Sequence, residues 1–213
     1  AELNSGLRGQ IRPSEAMEAL MNALADDKVP NQWEAISYPS LRPLGSWIQD
    51  LVERAKQLTD WTYDMLLPKV TWIAGLFVPQ ALLTAIAQST ARRNGWPLDS
   101  IAMQTEVTRK HPDDIAAVAR DGAYAHGLYL EGARWDDKSM TLDVSRNREL
   151  YNKLPVLLFK AVPADKVEVR ELFVCPVYRT LRRGTTFVFM SEIRSKTPPS
   201  KWILSGTAMV MEC

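Results

Sequence analysis

Residues 154–161 and 186–190 are apolar at nearly every position, and this constrains the fold more than any other feature of the chain. In the first run Leu154, Val156 and Leu158 alternate with Pro155, Leu157, Phe159 and Ala161, and in the second Val188 and Met190 oppose Phe187 and Phe189. A strand with one wet face alternates apolar and polar side chains, so strands of this kind are expected to be covered on both sides. A helical layer supplies one cover. A sheet curled into a partial barrel buries the other face, and apolar surface left over serves as a docking site.

Further β-rich runs occupy residues 101–108, 167–180, 185–193 and 202–212, separated by Pro, Gly and charge. Before residue 97 the apolar period is helical. Ser14 is placed to cap a helix that carries Met17, Leu20, Met21 and Leu24 and ends near Asp26. A loop with Pro30, Pro39 and Pro43 follows, and Pro43 opens a long helix. Its stripe of Leu44, Trp47, Ile48, Leu51, Ala55, Leu58, Trp61 and Met65 reads as one core face. Pro68 stops it. Val70, Ile73, Ala74 and Phe77 are spaced for a short helix, and Pro79 opens another through Leu82, Leu83, Ile86 and Thr90. Asn94 and Gly95 end that one, with Arg92 and Arg93 in its last turn. The expected fold is α+β: a helical subdomain over residues 1–96, packed against an antiparallel curled sheet or partial barrel over residues 97–213.

Within the β half the segment GLYLEGARWD, residues 127–136, stands out. Ala123, Ala125, Gly127 and Tyr129 alternate with Tyr124, His126, Leu128 and Leu130, the pattern of one strand whose small-residue face lies against another backbone. Gly132 breaks the ladder. Arg134, Trp135, Asp136 and Asp137 then read as a turn, with Lys138 and Ser139 at the corner and a short strand near Met140 and Leu142.

Signals for chemistry are few. Neither a Walker-type loop nor a G-x-G-x-x-G occurs, so no phosphate cradle is expected. His111, His126, Cys175 and Cys213 are scattered singly, without metal-ligand spacing, and Cys175 lies in an apolar strand as a structural thiol. Glu131, Asp136 and Asp137 have the residue types of a carboxylate-dependent hydrolase, but Arg134 among them favours an ion-paired turn. Arg179, Arg182 and Arg183 resemble a phosphate cluster, although Gly184 beside them marks a solvated hairpin tip. No catalytic, cofactor-binding or metal-binding residue is therefore assigned. Lys plus Arg number 26 against 25 Asp plus Glu, which leaves no field to draw in nucleic acid or an anionic membrane. The apolar window at residues 65–78 is too short to span a bilayer. Two cysteines without a spaced framework favour a reducing intracellular setting, and an opening at Ala1 without a signal peptide is expected of a piece of a longer polypeptide.

Four blocks and the closing segment carry a family resemblance. VPNQWEAISYPSLRPLGSWIQDL (residues 29–51), FVPQALLTAIAQSTARR (77–93), GLYLEGARWD (127–136), CPVYRT (175–180) and KWILSGTAMVM (201–211) resemble, in order, the C-terminal domain of dynein heavy chains. The compact RTLRRGTTFVFM (179–190) resembles axonemal outer-arm chains better than cytoplasmic ones. The resemblance implies a helical segment and an incomplete barrel docked on the ATPase ring of the same heavy chain, modulating its motor output without hydrolysing ATP itself. It further implies that ATP and Mg are held elsewhere in the parent chain, which would contact microtubules and other dynein subunits. The setting it implies is the cytoplasm, cytoskeleton and axoneme of a cilium or flagellum. A stand-alone peptide-binding module, with an exposed strand edge beside an apolar groove, is the alternative from the residues alone.

Overall fold

A computed structural model describes residues 2–38, 40–167 and 171–211. Pro39, the Cys213 thiol and part of the runs expected at 167–180 and 202–212 lie outside the described residues. The protein divides into two compact units, residues 1–56 and 57–213.

The first unit holds helices α1 (Glu2–Leu7), α2 (Glu15–Ala25) and α3 (Asn31–Glu34) and the first half of α4 (Leu44–Asp64). Ser14 caps α2 as its position predicts, its Oγ accepting from Met17 N at 3.3 Å. Pro43 is the residue before α4 rather than its first, and its carbonyl accepts from Trp47 N. The core is small and aromatic: Trp47 stacks on both Trp33 and Tyr38, each at 6.1 Å between ring centres. The expected apolar stripe along α4 is not continuous. Ile48 and Leu51 are exposed at 43% and 37%, while Asp50 and Arg54 of the same helix are buried.

Among the described residues, the second unit contains the rest of α4, α5 (Pro79–Asn94), α6 (Pro199–Leu204) and eleven strands. One sheet has the order β1-β3-β8-β2, formed by Val70–Trp72, Gly122–His126, Leu157–Pro163 and Ile101–Val107. The other has the order β10-β9-β11-β4-β7, formed by Phe187–Arg194, Leu172–Tyr178, Ala208–Val210, Tyr129–Glu131 and Tyr151–Lys153. A hairpin of β5 (Arg134–Asp136) and β6 (Thr141–Asp143) completes the set. Helix α5 begins with Pro79 and ends on Gly95 at φ 68°, and it packs on β2, β3 and β8.

The mixed helix and sheet architecture agrees with the α+β expectation, while several details differ. Residues 70–75 form a strand and a 3-10 turn, because Gln57 satisfies both backbone groups of Trp72, accepting from its N at 2.7 Å and donating to its O at 3.0 Å. The β1–β3 and β9–β11 pairs are parallel, so the sheets are mixed. Residues 199–204 are helical, with Trp202 buried and its indole N–H donated to Ser195 Oγ at 2.6 Å. Residues 57–96 belong to the same compact unit as the strands.

Residues 123–130 are two strands and not one. Ala123 and Ala125 are buried in β3, then Leu128 and Leu130 are buried in β4, so the buried parity changes at Gly127 and the backbone passes from one sheet to the other. Gly127 has φ 92°, and a Cβ there would stand 2.5 Å from the Trp72 ring, so the crossing needs glycine on both counts. The expected turn at Arg134–Asp136 is strand β5; the corner lies at residues 137–140, where Asp136 accepts from Ser139 N and Oγ.

Candidate functional site

Two places carry the residues that the sequence singles out. The first is the junction of β4, the turn after β9 and the turn before β11. Arg183, at φ 50°, donates through Nη2 to Glu131 Oε2 and to Gly206 O, both at 2.7 Å. Gly132, at φ 74°, has no room for a Cβ, which would meet Ser205 O at 2.6 Å. Arg183 is therefore a strut between three segments and not the solvated tip expected of it. Arg179 is also anchored, donating to Phe77 O at 2.7 Å, whereas Arg182 is exposed.

This geometry does not assemble acid–base chemistry. The Glu131 carboxylate is engaged by Arg183. Hydrogen bonds from Ser139 hold the Asp136 carboxyl below its ordinary range, the opposite of what a proton donor at neutral pH requires. Asp143 is lowered likewise, by Val144 N–H and then by Arg134. Cys175 is buried in β9, and burial pushes its thiol up to about 12, which suits a structural role.

The second place is the apolar surface of the second unit, which forms two grooves. One, of about 530 Å³, runs beside α5 and is walled by Leu58, Trp61, Leu67, Phe77 and Val78, with Arg93 and Arg120 at one end. Phe77 and Val78 are 53% and 60% exposed. The other, of about 460 Å³, lies between β9, β10 and α6, where Val174, Met190 and Ile203 are all more than half exposed. The face of β10 expected to be covered is thus open: Val188 points inward, while Phe187 and Met190 stand out. A bulge between Phe187 and Phe189 makes this division. Ser191 Oγ of β10 donates to Thr105 Oγ1 of β2 at 2.9 Å, so β10 lies beside a strand of the other sheet.

The strands also explain why separated sequence blocks belong together. GLYLEG supplies β4, CPVY supplies β9 and SGTAMV supplies β11, and these three are neighbours in one sheet. β11 is at the centre with Ala208, Met209 and Val210 fully buried, and Arg183 ties together the ends of the same three segments. Residues 1–211 match the family model for the C-terminal domain of the dynein heavy chain. The protein belongs to that family. It is 50% identical over 211 residues to "Dynein beta chain, flagellar outer arm" of Chlamydomonas reinhardtii. It is 45% identical to "Dynein beta chain, ciliary" of Tripneustes gratilla and 43% to "Dynein axonemal heavy chain 9" of Homo sapiens. Each match covers 99% of this dynein C-terminal domain but only 5% of the relative's own length.

The buried Asp50–Arg54 pair was not singled out by sequence reasoning. Its i,i+4 spacing is that of an ordinary surface ion pair, and only the neighbouring Tyr38 and Trp47 make it an interior one.

Proposed function

We propose that this domain is a non-catalytic, docking part of an axonemal dynein heavy chain of the outer-arm kind, seated on the ATPase ring of the same polypeptide and modulating its output. On this reading the parent chain is an ATP-hydrolysing microtubule motor of cilia or flagella, in the cytoskeleton of the axoneme. ATP and Mg belong to modules outside residues 1–213, and other dynein subunits are further partners. The two sheets, joined at Thr105 and Ser191, act as the incomplete barrel. The observation that carries the proposal is the open apolar face: large side chains line two grooves on a unit that already has a continuous core of its own. The names of the relatives, flagellar, ciliary and axonemal, support the setting.

Hydroxyl-radical footprinting of the intact heavy chain tests docking. Phe77 and Met190, exposed at 53% and 58% here, are expected to be labelled several-fold less than that exposure would give. Labelling of both in proportion to their exposure would show that nothing covers these faces.

A further inference from the structure

Resting on the docking reading above, we infer that the groove beside α5 receives an amphipathic helix of the same heavy chain, with apolar side chains along Ala81, Ala85 and Ser89 and an acidic side chain against Arg93 and Arg120. The shape of the groove comes first. Ala81, Ala85 and Ser89 line it, recur every four residues on an exposed face of α5, and carry no bulk. A row of small side chains at this spacing is a shallow channel into which the ridge of a second helix fits. Leu58 and Trp61 wall one side, with Phe77 and Val78 exposed at the mouth.

Charge then selects the partner. Arg93 Nη1 is 3.8 Å from Asp121 Oδ1 and Arg120 Nε is 3.9 Å from Asp121 Oδ2, so two guanidinium groups share one carboxylate. Asp121 Oδ1 also accepts from Asn94 Nδ2 at 3.2 Å. One positive charge is left over at the end of an apolar channel, which calls for an apolar partner bearing a single acidic group there. A helix suits the channel better than a strand, because the side of α5 offers no free backbone groups for a ladder. The length of α5, about 24 Å, matches several turns of such a partner. The same heavy chain is the natural source, since this domain spans 5% of the length of its relatives and a tethered segment binds at high effective concentration.

The test uses the full heavy chain with a photo-cross-linking amino acid at position 89. The expected product links position 89 to a helical segment of the same polypeptide that has Asp or Glu within a few residues of the attachment point. Ala85→Trp, which fills the channel, is expected to lower the yield about tenfold, the effect of roughly 1.4 kcal/mol. Reversing both charges with Arg93→Glu and Arg120→Glu is expected to lower it about threefold, as loss of exposed ion pairs does. Thr84→Trp, on a different exposed face of α5, leaves it unchanged. No cross-link overturns the inference, as does a link to another subunit, a second copy of the heavy chain or tubulin, or a yield unmoved by Ala85→Trp. Protection of Phe77 and Met190 in footprinting together with any of these results removes the helix and keeps docking; exposure of both removes docking itself.

Discussion

In residues 1–56 the deepest positions include an aspartate and an arginine, while in residues 57–213 they are uncharged, and most are apolar side chains of two sheets. Arg54 Nε donates to Asp50 Oδ2 at 2.6 Å, its guanidinium lies 3.8 Å from the centre of the Tyr38 ring, and Arg42 approaches the other Asp50 oxygen at 3.7 Å. Burial and the Asp50 carboxylate together push the Tyr38 phenol above its ordinary value. The larger unit instead buries Leu128, Leu130, Leu157, Val177 and Met209 completely. A short segment with few buried apolar residues closes its core with a polar cluster in which each group needs the others, whereas a large sheet core spreads its stability over many contacts. The first should fail at single points and resist gradual change. The second should yield in proportion to volume lost.

Asp50→Ala breaks this comparison most severely, because it leaves the Arg54 charge buried without its main partner. The expected cost is about 3–5 kcal/mol, whereas the paired change Asp50→Leu with Arg54→Met should be close to neutral. Denaturant unfolding followed by tryptophan fluorescence reads both, and equal losses for the single and paired variants would show that the cluster is not a unit. In the sheet core, Leu157→Ala should cost about 2–5 kcal/mol and Leu157→Met less than about 1.5 kcal/mol, since volume governs there. At the edge of that core, Arg183→Ser should cost about 1–2 kcal/mol by freeing Glu131 and Gly206 O. Arg182→Ser should stay within about 0.5 kcal/mol, and the difference between the two arginines checks the strut.

The smallest expected effect is a pH dependence. Burial first, then the charges of Lys153 and His111, hold the His126 imidazole below its ordinary value. Its unfolded form therefore takes up a proton before its folded form does, so stability falls as pH drops below about 6.5 and levels off once the folded imidazole is also charged. His126→Gln should flatten this slope in the second unit. A slope that persists in the variant assigns the pH dependence to other groups.

Much of the architecture was legible because it follows from local chemistry. The Ser14 cap, the Pro79 start and the Gly95 stop of α5 each satisfy backbone needs within a few residues. What was hidden depends on partners far along the sequence. Residues 70–72 have helical spacing but become a strand because Gln57 and β3 supply their hydrogen bonds. The alternation through residues 123–130 looks uninterrupted, yet Trp72 at Gly127 marks where the backbone moves between sheets. Arg183 looked like a solvated tip because Glu131 and Gly206, its acceptors, are distant in sequence. The doubly apolar run at 186–190 marks β10 as unusual, but which of its sides stays open is set by the bulge between Phe187 and Phe189.

Motility of the full heavy chain tests the proposed function most directly. On the proposed reading, a heavy chain lacking residues 97–213 should retain some microtubule-stimulated ATPase activity while its gliding velocity or force changes, because a non-catalytic docking domain would act only through different contacts with different states of its neighbour. Unchanged ATPase activity together with unchanged gliding and force would contradict a modulating role for this domain.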